Sequence, residues 1–270
     1  GGDRDPPARP AGGAPGREGD APNVALTWMD AKVGDHAVTA RRGKPVEVNA
    51  LWLQCLWFVA HLARAFNDVP MARLLEKLHK RALEQFHAKF WNERRGCLYD
   101  VLTDDAPDAS VRPNQVIALM LPSMHWSDDR ANAILSVIVE NLLTPVGLRT
   151  LAPDEDGYCG RYIGDQVHRD TAYHQGTVWA WLIGPFVTAY VRHHKRSQEA
   201  RLQAVRWLVG FIDHLRSAGL GTISEIFDGD PPYHPRGCIA QAWSVAEIIR
   251  ALVEDVCNYR PPPLWDECNA

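Results

Sequence analysis

From Val46 onward the chain alternates two kinds of helical segment, and this alternation limits the fold more than any other feature. Val46, Leu51, Leu53, Leu56, Trp57, Val59 and Leu62 are apolar nearly all the way round a helix, the pattern of a helix buried on several sides. The next segment, 71–90, is amphipathic: Leu74, Leu75, Leu78, Leu83 and Phe86 form a stripe against Lys77, Lys80 and Arg81. Helical periodicity returns near 114–121, 130–142, 174–194, 197–217 and 240–256, and 97–102 is the best short strand candidate. Buried helices interleaved with amphipathic ones require two layers, with the inner layer covered on both faces. No short repeat of the solenoid kind is present. The pattern predicts an all-α chain arranged as an α/α toroid.

Composition narrows the function. Of 270 residues, 46% are hydrophobic and 23% charged, with a net charge of −4 when histidines are neutral. Such a chain has no electrostatic reason to bind nucleic acid or an anionic membrane surface. No apolar run in the sequence is expected to reach the ~18–20 residues that cross a bilayer. The six cysteines are scattered without a CxxC pair, which predicts reduced buried thiols in a cytoplasmic protein and argues against a zinc site. Residues 1–22 are rich in Gly and Pro and bury too little apolar surface to offset their ordering entropy. The expected organisation is a lead-in over 1–25, a helical domain over 26–257 and an irregular tail over 258–270.

Chemistry-bearing residues gather in five places. Thr27-Trp28-Met29-Asp30-Ala31-Lys32 sets a carboxylate beside an indole, and low polarity there would favour the neutral acid; a helix cap or a pair with Lys32 is the plainer reading. Glu47 and Asn49 open the apolar helix, where they either cap backbone N–H groups or hold a hydroxyl. Arg112-Pro113-Asn114-Gln115 offers a guanidinium and two amides. Tyr173-His174-Gln175-Gly176-Thr177-Val178-Trp179-Ala180-Trp181 reads as the wall of a sugar pocket. Glu225, in Ser224-Glu225-Ile226-Phe227-Asp228, stands beside apolar residues in a loop, with Asp228, Asp230 and Arg236 suited to a surface salt bridge. Asp30 and Glu225 are 195 residues apart, a separation that loops converging on one end of a toroid can close.

Taken in order over roughly 26–252, these motifs resemble the C-terminal domain of glycogen-debranching enzymes, the amylo-α-1,6-glucosidase family. The resemblance implies an (α/α)6 barrel, of which this chain carries the later helix pairs, the rest lying in an N-terminal part of a parent chain. It implies inverting hydrolysis of α-1,6-linked glucose on branched α-glucans, with no metal and no organic cofactor. It implies Asp30 as general acid and Glu225 as general base. Trp28, Lys32, Glu47, Asn49, Arg112, Gln115, Tyr173, His174, Gln175, Trp179 and Trp181 are the expected substrate-binding residues. Two other readings stand beside it: a related toroidal glycosidase acting on trehalose, an oligosaccharide or an α-1,4 glucan, and a noncatalytic glucan-binding fragment. A terpene cyclase would need an Asp-rich motif, for which Ser127-Asp128-Asp129-Arg130 is a thin candidate.

Overall fold

The computed structural model describes residues 24–259; the expected lead-in and tail fall almost wholly outside them. Helix α1 (Val46–Ala65) and helix α2 (Val69–Lys89) form a hairpin. Asp68 caps α2 by accepting from Met71 N at 3.1 Å, and Pro70 fits its first turn. Then come α3 (Gln115–Met120), α4 (Asp128–Asn141), α5 (Gln166–Ala172), α6 (Ile183–His193), α7 (Gln198–Val209), α8 (Phe211–Ser217) and α9 (Ala242–Arg250). Ser127 is a plain N-cap for α4, accepting from Arg130 N, so the acidic start of that helix has a structural explanation.

Helices α1, α3, α6 and α9 pack in succession, α1 on α3, α3 on α6 and α6 on α9, while α2, α4 and α7 lie against this row. Leu119, Ile134, Ile138, Leu148, Phe186 and Phe227 fill the core and are inaccessible to solvent. Two layers of helices are therefore present, as the alternation predicts. The chain is not purely helical, however: a five-stranded antiparallel sheet runs Pro235–Arg236, Ile226–Phe227, Val178–Trp179, Gly147–Arg149, Leu143–Thr144. Each strand is two or three residues long, too short for an alternating pattern to register.

Three sequence expectations need correction. Helix α1 is not deeply buried: Leu51, Trp52, Phe58, Val59 and Leu62 are exposed, and only Val46, Glu47, Ala50, Leu53, Leu56 and Ala60 are covered. It is also, by length and composition, apolar enough to cross a membrane, the one such helix among the described residues. Its scattered polar residues break the apolar run without lowering the average enough. The expected helix over 174–194 begins only at Ile183. Gly176 has φ +135°, which no helix tolerates, and Val178–Trp179 is recruited into the sheet from both sides. Finally, Cys55, Cys238 and Cys257 are exposed rather than buried, although no described cysteine is in a disulfide.

Candidate active site

The sheet builds one wall of the site. Ile226 pairs with Trp179 on one side and Arg236 on the other, so Glu225, just before this strand, faces both the 173–179 segment and the residues after Arg236. Glu225 is 9% exposed. Its Oε1 accepts from Tyr173 Oη at 2.6 Å and from Gln241 Nε2 at 3.4 Å, and its Oε2 accepts from Cys238 N at 3.0 Å. Burial, and then the bond to Glu225, push the Tyr173 phenol above its ordinary range, so it remains a donor. Gly237 (φ +65°) lies so close under the carboxylate that a Cβ there would collide with Oε2.

Asp30 comes from the segment just before the small hairpin of 32–33 and 36–37. It is not enclosed by the indole, as the sequence suggests: its side chain is 70% exposed. Trp28 turns away, donating through Nε1 to Asn114 Oδ1 at 2.8 Å. Its ring meets His174, Trp179 and Trp181 edge-on at 5.2–5.4 Å. Asp30 Oδ1 lies 3.6 Å from His174 Nε2. His174 is the neighbour of Tyr173, with ring centroids 4.8 Å apart. The two carboxylates therefore contact two adjacent residues, Glu225 bonded to the first and Asp30 beside the second.

His174 is 1% exposed, and neither ring nitrogen has a hydrogen-bond partner. Burial, reinforced by the charges of Arg112 and Arg41, lowers its pKa to about 3. The unfolded imidazole protonates near pH ~6.5, so stability is complete above that value and declines as pH falls toward 3, by at most roughly 1.4 kcal/mol per pH unit from this group. Burial lowers His79, His87, His193 and His214 in the same sense. The urea midpoint is expected to fall steadily from pH 6.5 to 4, and His174→Leu to make that slope shallower; an unchanged slope would assign the acid sensitivity to the other histidines.

The remaining expected site residues divide into surface and support. Trp181 stacks on Trp243 at 5.1 Å with an interplanar angle of 18°. Trp243 is 38% exposed and was not among the expected residues; the only sequence signal for it is its place in the first turn of α9. Trp179, 3% exposed, is the hub of the wall rather than its surface, and its Nε1 donates to Tyr173 O. Arg112 is buried and donates to the backbone oxygens of Thr150 and His174 and to Gln175 Oε1. It braces the 173–175 turn. Gln115 spends its amide on Leu98 N and Arg112 O. Glu47 is buried in an ion pair with Arg41.

Lys32 is exposed in a small hairpin with 36–37. Asn49 donates to Pro45 O and lines a separate cavity of about 220 Å³ with Lys44, Trp52 and Phe86. The structure thus gathers Trp28, Asp30, Tyr173, His174, Gln175, Trp179, Trp181 and Glu225. Arg112, Gln115 and Glu47 lie beneath that group, and Lys32 and Asn49 are not brought to it by any observed contact. Asp228 is buried, not a surface partner: Arg236 grips it through two bonds at 2.8 and 3.0 Å, and Tyr162 N donates to it. Behind the wall, Tyr158 donates to Asp230 Oδ1 at 2.9 Å. The same ring touches Gly160, Gly176 and Gly229 so closely that a Cβ at any of the three would collide with it.

A buried carboxylate held by three donors, an exposed carboxylate and a tryptophan-rich wall suit acid–base work on a sugar. Comparison with known proteins points the same way. A family model described as amylo-alpha-1,6-glucosidase matches residues 17–250. The glycogen debranching enzyme of Saccharomyces cerevisiae is 29% identical over an alignment 209 positions long that covers 62% of this chain and 14% of that protein. Among solved structures, the GH63 mannosylglycerate hydrolase from Thermus thermophilus in complex with glucose is similar, with a TM-score of 0.56 at 16% identity over 76% of this chain and 47% of its own. A sialidase matches with a TM-score of 0.66 at 14% identity over 81% of this chain and 20% of its own. At such identities these structural likenesses concern the fold alone.

Proposed function

The chain belongs to the amylo-α-1,6-glucosidase family of glycoside hydrolases, and from that membership we propose that it carries the catalytic site of an inverting α-1,6-glucosidase acting on branched α-glucans. The observation that carries the reading is that Glu225 and Asp30 contact two adjacent residues, Glu225 bonded to Tyr173 and Asp30 beside His174. Asp30, open to the substrate side, protonates the glycosidic oxygen. Glu225 takes a proton from the attacking water through Oε2, which has acceptor capacity beyond its bond from Cys238 N. Tyr173, Gln241 and Cys238 N hold that carboxylate in one orientation throughout, so nothing needs to reorganise as charge moves. Both bonds change in a single displacement through an oxocarbenium-like state.

The row α1–α3–α6–α9 is, in this reading, an arc of an α/α toroid. Apolar residues are bare at both ends of the row, Leu51, Trp52 and Phe58 on α1 and Trp243 and Ile249 on α9, and closure of a ring would cover them. The chain spans about one-seventh of the yeast relative's length, so the substrate reading concerns a larger protein in which this site works.

The test is stereochemical. Limit dextrin incubated with the full-length protein is expected to release glucose first as the β-anomer, read by NMR before mutarotation. Initial release of α-glucose would mean a retaining mechanism and would remove the water-activating role of Glu225. Activity confined to α-1,4 linkages or to a disaccharide such as trehalose would transfer the same machinery to another substrate.

A further inference from the structure

We propose that Asn114 is a positioning residue for Asp30: it ties the segment carrying the general acid to a buried, charge-balanced ion cluster. The inference rests on the catalytic roles assigned above. Asp30 is too exposed to be fixed by packing around its own carboxylate; its aim must come from the residues before and after it. Ala31 O accepts from Val38 N at 3.0 Å on one side. On the other, Met29 is fully buried and Trp28 is bonded to Asn114.

Asn114 is 1% exposed. Its Oδ1 accepts from Trp28 Nε1 at 2.8 Å, and its Nδ2 donates to Asp100 Oδ1 at 2.8 Å and approaches Met29 Sδ at 3.7 Å. The orientation of the amide follows from its partners: an indole only donates and an ionised carboxylate only accepts, so only one of the two flips satisfies both. Asp100 is itself immobilised. Arg41 donates to it through Nε at 2.6 Å and Nη2 at 3.0 Å, and the same guanidinium holds Glu47 at 2.5 and 2.6 Å. Arg112 Nε lies 3.9 Å from Asp100 Oδ2. Two cations thus face two carboxylates, all buried, and the cluster carries no net charge that would bias the catalytic acid from behind. Asn114 is the side chain that joins this fixed cluster to Trp28, two residues before Asp30. Loss of the link is expected to let the acid drift, and displacements of about 1 Å can cost ~100-fold in rate.

Two substrates separate positioning of the acid from general support of the fold. Limit dextrin needs a proton on its departing oxygen. α-Glucosyl fluoride does not, since fluoride is weakly basic and leaves unaided, while the water must still be activated. In the full-length protein, Asn114→Leu is expected to lower kcat on limit dextrin about 100-fold while lowering kcat on the fluoride by less than about fivefold. Trp28→Phe, which removes the N–H donor along with the five-membered half of the indole and keeps one aromatic ring, is expected to show the same skew at about tenfold. It decides the matter if the leucine variant does not fold. Equal losses on both substrates, or a change confined to KM, would overturn the positioning role. Wild-type protein inert toward both would instead sink the glycosidase reading. Wild-type activity on both, abolished on both by Glu225→Gln, with Trp28→Phe unchanged on limit dextrin, would leave that reading standing and reject Asn114's role alone.

Discussion

Glu225→Gln is expected to lower turnover on limit dextrin about a thousandfold, within the usual range for loss of a general base, and to leave the unfolding midpoint close to that of the parent protein. Glutamine has the same shape, and the surroundings accommodate its amide. Its oxygen can keep the bond from Cys238 N. Its NH2 then faces Tyr173 Oη, which can accept; the long 3.4 Å bond from Gln241 is given up, since Gln241 Oε1 is held by Ala242 N. What disappears is the capacity to take a proton from water. Turnover within about tenfold of wild type would show that Glu225 is not the base. A large drop in melting temperature would show instead that its three bonds serve the fold first.

The second large effect is on stability. Arg41→Met is expected to lower the unfolding free energy by about 3–5 kcal/mol, a fall of roughly 10 °C in Tm for a domain of this size. Burial works against the Arg41 charge, yet Asp100 and Glu47 outweigh it and hold its pKa above the ordinary value. Methionine would leave two buried carboxylates, each 2–6% exposed along its side chain, without their bonded cation, and only Asp100 would keep a more distant one, Arg112 Nε at 3.9 Å. The penalty comes from that abandonment, so Arg41→Met combined with Glu47→Leu is expected to regain part of the loss, because one stranded charge is then removed. Chemical denaturation of the three proteins measures this. A loss below about 1 kcal/mol in the single variant would mean that water reaches the cluster and screens it.

Both residues proposed for catalysis were legible because each carries a local signature. Asp30 beside Trp28, and Glu225 beside Ile226 and Phe227, each stand out within a few residues. The supports did not, because they assemble from positions 41, 47, 100, 112 and 114, which no periodicity connects. Arg112 and Gln115 look like sugar-binding donors in sequence. Only the fold shows that their donors face backbone carbonyls and that Gln115 also accepts from Leu98 N. Asn114 passed as part of the same motif, and its link to Trp28 spans 86 residues.

The two-layer helical arrangement followed from alternating patterns, and most helix positions with it. The late start of α6 did not, since apolar residues at Val178, Trp179 and Leu182 satisfy strand and helix alike until Gly176 and the neighbouring strands decide. Helix α5 was missed, although Asp165, which caps it by accepting from His168 N, was a visible signal. The exposure of α1 could not be read from its sequence at all, because an all-round apolar helix reports what it is built to touch, not what surrounds it.

The Tyr158 ring, wedged against Gly160, Gly176 and Gly229, restricts the routes by which descendants of this protein can diverge. While the ring is in place, no side chain can enter at any of the three glycines, so substitutions there are closed individually. Shrinking residue 158 would not open them, because a Cβ at Gly229 would still meet the backbone oxygen of Gly176, one at Gly160 the Asp230 carboxylate, and Gly176 would keep its φ of +135°, while the bond from Tyr158 to Asp230 would be lost. Each glycine is therefore held by more than the ring, and no single change frees all three. Drift in this part of the wall is blocked at the glycines themselves, and lineages should keep all three even where residue 158 differs.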